Sequence, residues 1–397
     1  MVTVSEATAI IFNNLFVPAT TRVKLEGCIG KILAEGVTAD RDFPPFNRVS
    51  MDGIAIQGQE WMNGQRSFII EGMQAAGEKQ TTLSDPAHCV EVMTGAVLPE
   101  GCDAVVRYED LKINEHTAVI ETDQVALWQS IHRQGMDAKK GEILLGPGQI
   151  LAPSEVALLA STGHTEVSVF NFPKVAIIST GDELVDIGEI PLPWQIRRSN
   201  SYALQAALQQ MGLAASCFHL NDERAAMTES LDAIAGDFDV LILSGGVSRG
   251  KFDFVPQVLE DIGIQKQFHQ VSQRPGKPFW FGRSAAETTA FALPGNPVST
   301  FMCFYRYVKP WIMKSLGAPV RDSYAVLASD FSFQAPLTCF LQVSISNEQG
   351  RMLAYPVPGG GSGDFANLKN VDGFLELPLE KNDFKAGEVF PYFAFRH

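Results

Sequence analysis

The chain lacks the patterns that mark membrane-spanning and secreted proteins. No apolar run among its 397 residues approaches the ~18–20 residues of a membrane span. The longest candidate, residues 240–243 (VLIL), ends at Ser244-Gly245-Gly246. The first six residues, MVTVSE, place no basic segment before an apolar one, so the sequence predicts no signal peptide. We therefore expect a cytoplasmic protein.

Cysteine and histidine are scarce and show no metal-binding spacing. The six cysteines form no CxxC pair, which disfavours a zinc knuckle and a redox dithiol. The seven histidines show neither HExxH nor HxH, so a histidine-built metal site has little support. Reduced, buried thiols are the expectation for this chain.

Positive charge is also in deficit. Lys and Arg number 31 and Asp and Glu 45, a net charge of −14, which disfavours general nucleic-acid binding. A local basic cluster can still bind a small anion. The content of 46% hydrophobic and 19% charged residues is typical of globular proteins, and the length predicts about two to four domains.

Secondary-structure patterns divide the chain into regions. Residues 2–33 show helical periodicity with Ser5 as a candidate N-cap, and residues 53–134 contain short strands separated by Gly and Pro turns. A further helix is predicted over residues 153–161. From residue 321 onward, short alternating runs such as residues 340–345 predict a small all-β domain.

Strands and helices alternate between residues 174 and 317. This alternation predicts an open, mostly parallel α/β sheet, which binds ligands at the carboxyl ends of its strands. The predicted strands are residues 174–180, 213–220, 240–244, 278–281 and 289–293, and the predicted helices are residues 200–211, 222–235, 254–262 and 298–316.

Three loops after these strands are rich in glycine and polar residues: residues 179–184 (STGDEL), 244–250 (SGGVSRG) and 293–299 (LPGNPVS). Glycine lets backbone N–H groups approach an anion. One such loop is usually only a turn, but three at one sheet edge predict a phosphorylated ligand. None matches GxxxxGK[ST] or GxGxxG, so ordinary P-loop and dinucleotide sites are disfavoured.

Charged residues lie near these loops. Arg274 and Lys277, in the segment RPGKP, suit the clamping of an anion, although a solvated turn is the alternative. The acidic residues Asp182, Glu183, Asp222 and Asp253 suit Mg²⁺. Helix capping is the alternative for Asp222 and Asp253, and for Asp222 both interpretations stay open. Residues 44–53 and 93–96 form further turns of undetermined role, with Met51 and Met93 expected in the core.

Seven segments together resemble the molybdopterin molybdenumtransferase family, known as MoeA in bacteria and as the E domain of gephyrin. They occur in family order, cover nearly the whole chain and are highly specific as a set. They are PPFNRVSMDGIA (44–55), MTGAVLPEGCDAVV (93–106), STGDEL (179–184), SNSY (199–202), SGGVSRGKFDFV (244–255), RPGKP (274–278) and LPGNPVS (293–299).

The resemblance implies a multidomain α/β plus β fold. Its parts are a helical, elongated domain (residues 1–40 and 135–170), a β-rich domain (41–134), a central α/β domain of molybdopterin-binding type (171–320) and a C-terminal all-β domain (321–397). It also implies a homodimer with an intersubunit cleft. The implied reaction takes adenylylated molybdopterin and molybdate, uses Mg²⁺ and releases AMP. The molybdopterin adenylyltransferase is the implied partner, and neither nucleic acid nor membrane is expected.

Site residues carry over from the family motifs by position. The implied catalytic residues are Asp52, Thr94, Asp137, Glu183, Asp222 and Asp253, with Glu183 and Asp253 as metal ligands. The implied ligand-binding residues are Gly245, Gly246, Ser248, Arg274, Lys277, Pro294 and Pro297.

The sequence departs from the family pattern at several positions. The family usually has Arg at His132 and often Lys at Gln270, and Ala where this chain has Ser50. Asp364 adds a negative charge to a loop, residues 361–368, that reads GSGxLxSL in the family. Losing a cation weakens anion binding by about 1–3 kcal/mol per charge-assisted contact, although His132 can act as a cation at low pH.

These departures keep two other hypotheses open. One is a divergent paralogue that binds molybdopterin as a carrier or scaffold without efficient chemistry. The other is a nucleotide hydrolase on the same fold, because fold alone does not settle function.

Overall fold

The computed structural model describes residues 1–248 and 253–396. The chain divides into two compact units. The first unit comprises residues 1–34, 147–152 and 166 onward, and the second comprises residues 35–146 and 153–165. In the described ranges, no helix combines the length and the apolar character needed to cross a membrane.

The elements are numbered in chain order. The α-helices are α1 (Val4–Phe12), α2 (Gly58–Met62), α3 (Pro153–Ser161), α4 (Ser199–Gln210), α5 (Arg224–Asp237), α6 (Val255–Asp261), α7 (Pro297–Cys303) and α8 (Lys309–Ser315). The strands are β1 (Thr20–Lys24), β2 (Val37–Thr38), β3 (Arg48–Val49), β4 (Gly53–Ile56), β5 (Ser67–Gln74), β6 (His88–Val92), β7 (Ala104–Arg107), β8 (Leu111–Asn114), β9 (Thr117–Ile120), β10 (Ile131–His132), β11 (Ile143–Leu145), β12 (Glu166–Phe170), β13 (Val175–Thr180), β14 (Leu184–Val185), β15 (Ile196–Arg197), β16 (Ala215–Leu220), β17 (Val240–Ser244), β18 (Ile264–His269), β19 (Gln273–Arg274), β20 (Trp280–Ser284), β21 (Thr289–Leu293), β22 (Tyr324–Leu327), β23 (Phe331–Ser332), β24 (Thr338–Glu348), β25 (Arg351–Pro356), β26 (Gly373–Leu377), β27 (Asp383–Phe384) and β28 (Val389–Ala394).

The amino-terminal segment is helical only over α1. Thr3, not Ser5, caps this helix, and Thr3 and Glu6 form a reciprocal capping box. The expected helical pattern over residues 2–33 is therefore wrong beyond Phe12. Pro18 and the β-branched residues that follow favour extended backbone, and β1 pairs antiparallel with β12 in the first unit.

The second unit is built on a six-stranded sheet in the order β7-β4-β6-β5-β9-β8. Its neighbours run antiparallel except for the parallel pair β5 and β6. All four residues of β4 are buried, and a side chain at Gly53 would collide with the Val106 carbonyl. The predicted β-rich segment is thus confirmed, as is the helix over residues 153–161.

The first unit contains the α/β sheet, in the order β16-β13-β17-β21-β20-β18. The first four strands are parallel and the last two antiparallel to their neighbours. Every residue of β13, β17 and β21 is buried, which explains their continuous apolar sequence. The expected mostly parallel sheet is therefore confirmed.

The closing helix of the α/β part is interrupted. Instead of one helix over residues 298–316, α7 passes through a wide π-type turn, Phe304–Val308, into α8. Pro310 has no N–H to donate to the carbonyl of Arg306, and its ring crowds that carbonyl, so the regular hydrogen-bond ladder breaks there.

The C-terminal strands of the first unit form a barrel-like sheet. The order is β19-β24-β25-β22-β28-β26, and β26 pairs back with β24, which closes a ring of five strands. Strand β19 joins this sheet through parallel pairing with β24. The Arg306 Nε lies 2.7 Å from the Glu376 Oε2, so an ion pair ties the π turn to β26. The predicted all-β segment after residue 321 is confirmed.

Candidate functional site

The three glycine-rich loops leave one edge of the α/β sheet. They follow β13, β17 and β21, which are adjacent and parallel, so their carboxyl ends meet. A cavity of about 230 Å³ opens at this edge, lined by Ser179, Thr180, Glu183, Leu184, Ile196, Arg197, Arg198, Ser199, Asn200, Ser201, Ser244, Gly245, Gly295, Asn296 and Pro297. The predicted Glu183, Gly245 and Pro297 therefore line one cavity.

Glycine is required where these loops pack together. Gly245 has a φ of +105°, and a Cβ there would lie 2.7 Å from the Thr180 carbonyl oxygen. Gly246 has a φ of +64°, and a Cβ there would lie 2.7 Å from Val255. At Gly295 a Cβ would approach Gly245 to 3.4 Å. Gly245 and Gly246 are therefore needed for the loops to pack as they do, and Gly245 also lines the cavity.

Two residues that line this cavity carry buried hydroxyls. The Thr180 Oγ1 and the Ser201 Oγ have no hydrogen-bond partner in the described part of the chain. Asn200 fixes the surrounding loops, since its Nδ2 donates to the Ser244 Oγ and to the Gly295 carbonyl, both at 2.8 Å. Residues 199–202 are one of the family-like segments, but the sequence alone assigns no role to Asn200 or Thr180. The signal for Thr180 is a polar residue at the end of a largely apolar strand.

Acidic side chains gather beside the first loop. The pKa of the Asp222 carboxyl is raised above its ordinary value of 3.8, first by burial of the group. Three neighbouring carboxylates raise it further: Asp182, Glu183 and Asp253. Asp182, Glu183 and Asp253 are therefore close enough to repel the carboxylate of Asp222.

Helix capping does not account for Asp222. The residue that caps α5 is Glu223, whose carboxylate accepts from the N–H groups of Ala225 and Ala226. The backbone N–H of Asp222 instead donates to the Asp182 Oδ1 at 3.1 Å. The capping alternative is thus wrong for Asp222, and for α6 the N-cap position is Phe254 rather than Asp253.

The acidic group suits a hard divalent cation that is only partly held by protein. Carboxylate oxygens are the ligands that Mg²⁺ prefers, and it binds through one or two of them plus substrate oxygens. Within residues 1–248 and 253–396, no three His, Cys, Asp or Glu side chains are placed to enclose a metal. The donor chemistry fits Mg²⁺, and the mutual repulsion at Asp222 is what a cation would relieve.

A second and larger cavity, of about 560 Å³, lies beside the RPGKP loop of the first unit. Arg274, Lys277 and Pro294 line it together with Asn296, which also lines the smaller cavity. Arg274 and Lys277 are exposed, and neither pairs with a carboxylate among the described residues. The C-terminal loop contributes Ser362, whose Oγ accepts from the Asn296 Nδ2 at 2.7 Å. Two uncompensated cations thus face one cavity.

The other departures from the family pattern occupy structural positions. The carboxylate of Asp364 accepts from the Gly360 N–H at 2.8 Å, so it stabilises its own loop. Gln270 has a φ of +78°, and its carbonyl accepts from the Val2 N–H at 3.0 Å.

The predicted binding residue Ser248 is exposed and is not among the residues that line either cavity. Residues 249–252 of the second glycine-rich loop lie outside the described residues.

In the second unit, Asp52 and Thr94 form a direct pair. The Thr94 N–H donates to the Asp52 Oδ1 at 2.6 Å and the Thr94 hydroxyl at 2.8 Å. These two hydrogen bonds, of which the backbone one has the larger effect, lower the pKa of Asp52.

The neighbouring methionines are not core residues as expected. Met51 is 42% exposed, so its expected place in the core is wrong, and Met93 is only half-buried.

His132 connects Asp137 to Arg48 within the second unit. The His132 Nε2 lies 2.8 Å from the Asp137 Oδ1, and the His132 Nδ1 lies 3.1 Å from a guanidinium nitrogen of Arg48. A guanidinium only donates, so Nδ1 accepts and the proton of the neutral ring sits on Nε2, facing Asp137.

Comparison with known proteins agrees with these observations. Three family descriptions match consecutive segments: "MoeA N-terminal region (domain I and II)" over residues 2–163, "Probable molybdopterin binding domain" over 176–314 and "MoeA C-terminal region (domain IV)" over 324–395. A molybdopterin molybdenumtransferase of Synechocystis sp. is 39% identical over 399 residues, which cover 100% of both chains. The chain belongs to the molybdopterin molybdenumtransferase family.

Other relatives extend the family likeness. A molybdopterin molybdenumtransferase of Bacillus subtilis is 31% identical over 394 residues, covering 95% of this chain and 90% of the relative. The crystal structure of a molybdopterin biosynthesis MoeA protein from Pyrococcus horikoshii matches with a TM-score of 0.85 and 26% identity over 100% of both chains. The expected multidomain fold, with a molybdopterin-binding α/β part and a C-terminal β part, is therefore confirmed.

Proposed function

We propose that this protein inserts molybdenum from molybdate into adenylylated molybdopterin and releases AMP, in the biosynthesis of the molybdenum cofactor. The observation that carries the proposal is the acidic group beside the glycine-lined cavity, in which three carboxylates raise the pKa of a fourth, Asp222. The names of its full-length relatives support the same activity.

The smaller cavity is proposed to hold the phosphorylated substrate. Backbone at Gly245 and Gly246 can approach phosphate oxygens closely because neither residue carries a side chain. Pro297, at the start of α7, completes the wall.

Glu183 and Asp253 are proposed to hold Mg²⁺ together with the substrate. When bound, the ion would neutralise the negative charge that develops on phosphate oxygens as the phosphoanhydride bond breaks. Asp222 stands beside them, and a bound cation would relieve the repulsion that raises its pKa.

Arg274 and Lys277 are proposed to bind molybdate as the oxyanion substrate. Both are exposed on the wall of the larger cavity, and Pro294 shapes the loop between the two cavities. Fixed cations at such a wall would orient the oxyanion toward the substrate.

Asp52, Thr94 and Asp137 are proposed to contribute from the second unit. Thr94 keeps Asp52 ionised by donating two hydrogen bonds, which lower its pKa. His132 orients Asp137. We further propose that the protein is a cytoplasmic homodimer, that its cleft is completed by a second copy, and that a molybdopterin adenylyltransferase supplies the substrate.

The direct test measures AMP release from adenylylated molybdopterin with and without Mg²⁺ and molybdate. We expect release to require both, with formation of active cofactor. Glu183→Gln should reduce it strongly, whereas Glu189→Gln, an exposed glutamate of the same segment, should not. Tight binding of the adenylylated substrate without molybdate-dependent release would contradict the enzyme proposal and point to a carrier.

The dimer and the departures have separate tests. Mixing Asp52→Asn chains with Glu183→Gln chains should restore part of the activity if one cleft draws on two copies. His132→Arg with Gln270→Lys should change molybdate-dependent turnover little if the departures are tolerated. A large gain would mean that the natural protein is impaired, and hydrolysis of a dinucleotide without molybdate would favour the hydrolase hypothesis.

A further inference from the structure

The RPGKP loop presents two exposed cations around a buried turn. Arg274 and Lys277 are exposed, whereas Gly276 between them is buried with a φ of +91°. Long, flexible side chains of this kind aim at a ligand only as well as their backbone is fixed. The contacts that fix the turn therefore decide where the two charges lie.

A buried polar chain holds this turn from beneath. The Tyr307 hydroxyl donates to the Gln273 Oε1 at 2.5 Å, and the Gln273 Nε2 donates to the Gly276 carbonyl at 3.0 Å. The same amide nitrogen lies 3.5 Å from the Cys303 Sγ. Gln273 is 0% and Tyr307 1% exposed, so this chain is shielded from water.

The packing around the turn leaves no room for Gly276 to move toward the buried side chains of Gln273 and Cys303. A Cβ at Gly276 would lie 2.7 Å from the Gln273 Nε2 and 2.8 Å from the Cys303 Sγ. The first strand residue of the loop is also held, since Gln273 and Arg274 pair with β24. The Gly276 carbonyl is thus fixed by one amide, and that amide is oriented by one hydroxyl.

A glutamine and a tyrosine buried this completely need a reason, because burying polar groups costs free energy unless every atom is paired. Removing one partner leaves the other unpaired, whereas replacing both with apolar groups of similar shape is close to neutral. In this network the Gly276 carbonyl is a third partner, and it is left unpaired when Gln273 is replaced.

We infer that Gln273 and Tyr307 are positioning residues that set the oxyanion affinity of Arg274 and Lys277 by holding the Gly276 carbonyl. The inference rests on the proposed function, in which those two cations bind molybdate. It adds a residue from the π turn, distant in sequence from the loop, to the determinants of substrate binding.

The first test replaces the hydroxyl alone. We expect Tyr307→Phe to weaken molybdate binding in equilibrium dialysis and to raise the KM for molybdate, each by about tenfold. The kcat at saturating molybdate and the KM for adenylylated molybdopterin should stay unchanged. Tyr305→Phe is the matched control, since its hydroxyl makes no hydrogen bond with any residue in the described ranges. Equal effects of the two variants would overturn the inference.

The second test removes the support of the turn altogether. The double variant Gln273→Met with Tyr307→Phe also leaves the buried Gly276 carbonyl unpaired, so its melting temperature should fall at least as far as that of Tyr307→Phe. Molybdate affinity should fall at least as far as in Tyr307→Phe, because no other hydrogen bond among the described residues reaches the Gly276 carbonyl. Molybdate affinity equal to that of the natural protein in this folded variant would mean that the network is only structural and would refute the inference.

Variants of the two cations distinguish a failure of this inference from a failure of the proposed function. If Arg274→Ala and Lys277→Ala bind molybdate like the natural protein, the proposed role of those cations fails, and the inference fails with it. If they lose molybdate while Tyr307→Phe retains it, the cations stand and the positioning role alone is refuted.

Discussion

Replacing Gly245 by alanine is the sharpest perturbation of the smaller cavity. The residue directly follows β17 and has a φ of +105°, and an added Cβ would lie 2.7 Å from the Thr180 carbonyl oxygen and 2.9 Å from the Thr180 Oγ1. A non-glycine residue in such a backbone conformation costs about 1–3 kcal/mol, and overpacking of this kind costs about 1–3 kcal/mol more. The sum is roughly 2–6 kcal/mol.

The same displacement should affect catalysis. Either the loop or Thr180 must move by several tenths of an ångström to admit the methyl group, and misplacement of about 1 Å costs roughly 100-fold in rate. We expect Gly245→Ala to lower the melting temperature by about 5 °C or more, at ~2–4 °C per kcal/mol. We also expect it to reduce AMP release by about two orders of magnitude.

Gly236→Ala provides the control for this substitution. Gly236 lies in α5, and a Cβ there meets nothing within 4 Å. This variant should keep full activity and gain about 0.5–1 kcal/mol, because alanine favours helix. Folded Gly245→Ala protein that releases AMP at the natural rate would refute the close-packed cradle.

Three further predictions concern stability. Glu376→Gln should destabilise the first unit by roughly 2–3 kcal/mol in urea unfolding, because it leaves the charge of the largely buried Arg306 uncompensated; Asp330→Asn, in an exposed ion pair, should have far less effect. The raised pKa of Asp222 means that its ionised form is less favourable in the folded chain than in the unfolded one. Stability from this group is therefore present below pH 3.8 and falls as the pH rises through the folded pKa. Asp222→Asn should thus raise the melting temperature at pH 7 but not below pH 3.8, and an unchanged difference across that range would contradict the assignment. Thr3→Ala should cost about 1 kcal/mol in thermal unfolding through loss of the α1 capping box, and an unchanged melting temperature would argue against the capping box.

Much of the fold could be predicted because buried strands have continuous apolar sequences. Strands β17 and β21 are continuous apolar runs, since parallel strands are covered on both faces, and both were predicted with their observed bounds. Strand β18 was missed because its sequence, IQKQFH, has the composition of an exposed edge. The start of β20 was placed two residues early because Phe279 is buried without being part of the strand.

The candidate site was predictable where chemistry and turn type coincide. Gly245 stood out because a glycine-rich loop after a strand suits an anion, and Arg274 because it and Lys277 place two cations beside a Pro-Gly turn before a strand. Asn200 and Thr180 were not singled out, since their importance depends on which loops the sheet order brings together. Gln273 could not be predicted from the sequence either, because its hydrogen-bond partner Tyr307 lies 34 residues further along the chain.

The division of the chain has a consequence for the order in which the protein folds during synthesis. The second unit is complete once residue 165 has been made, before any strand of the α/β sheet exists. Strand β1 can pair with β12 only after that unit has been synthesised, and Val2 can form its bridge with Val271 only after residue 271 has been made. Because domains fold as units as they emerge from the ribosome, the folded second unit shortens the loop that β1 and β12 must close. The helix α1 is therefore made first but packs against residues that are made much later, so the nascent chain exposes the apolar face of α1 until the α/β sheet and α8 have formed.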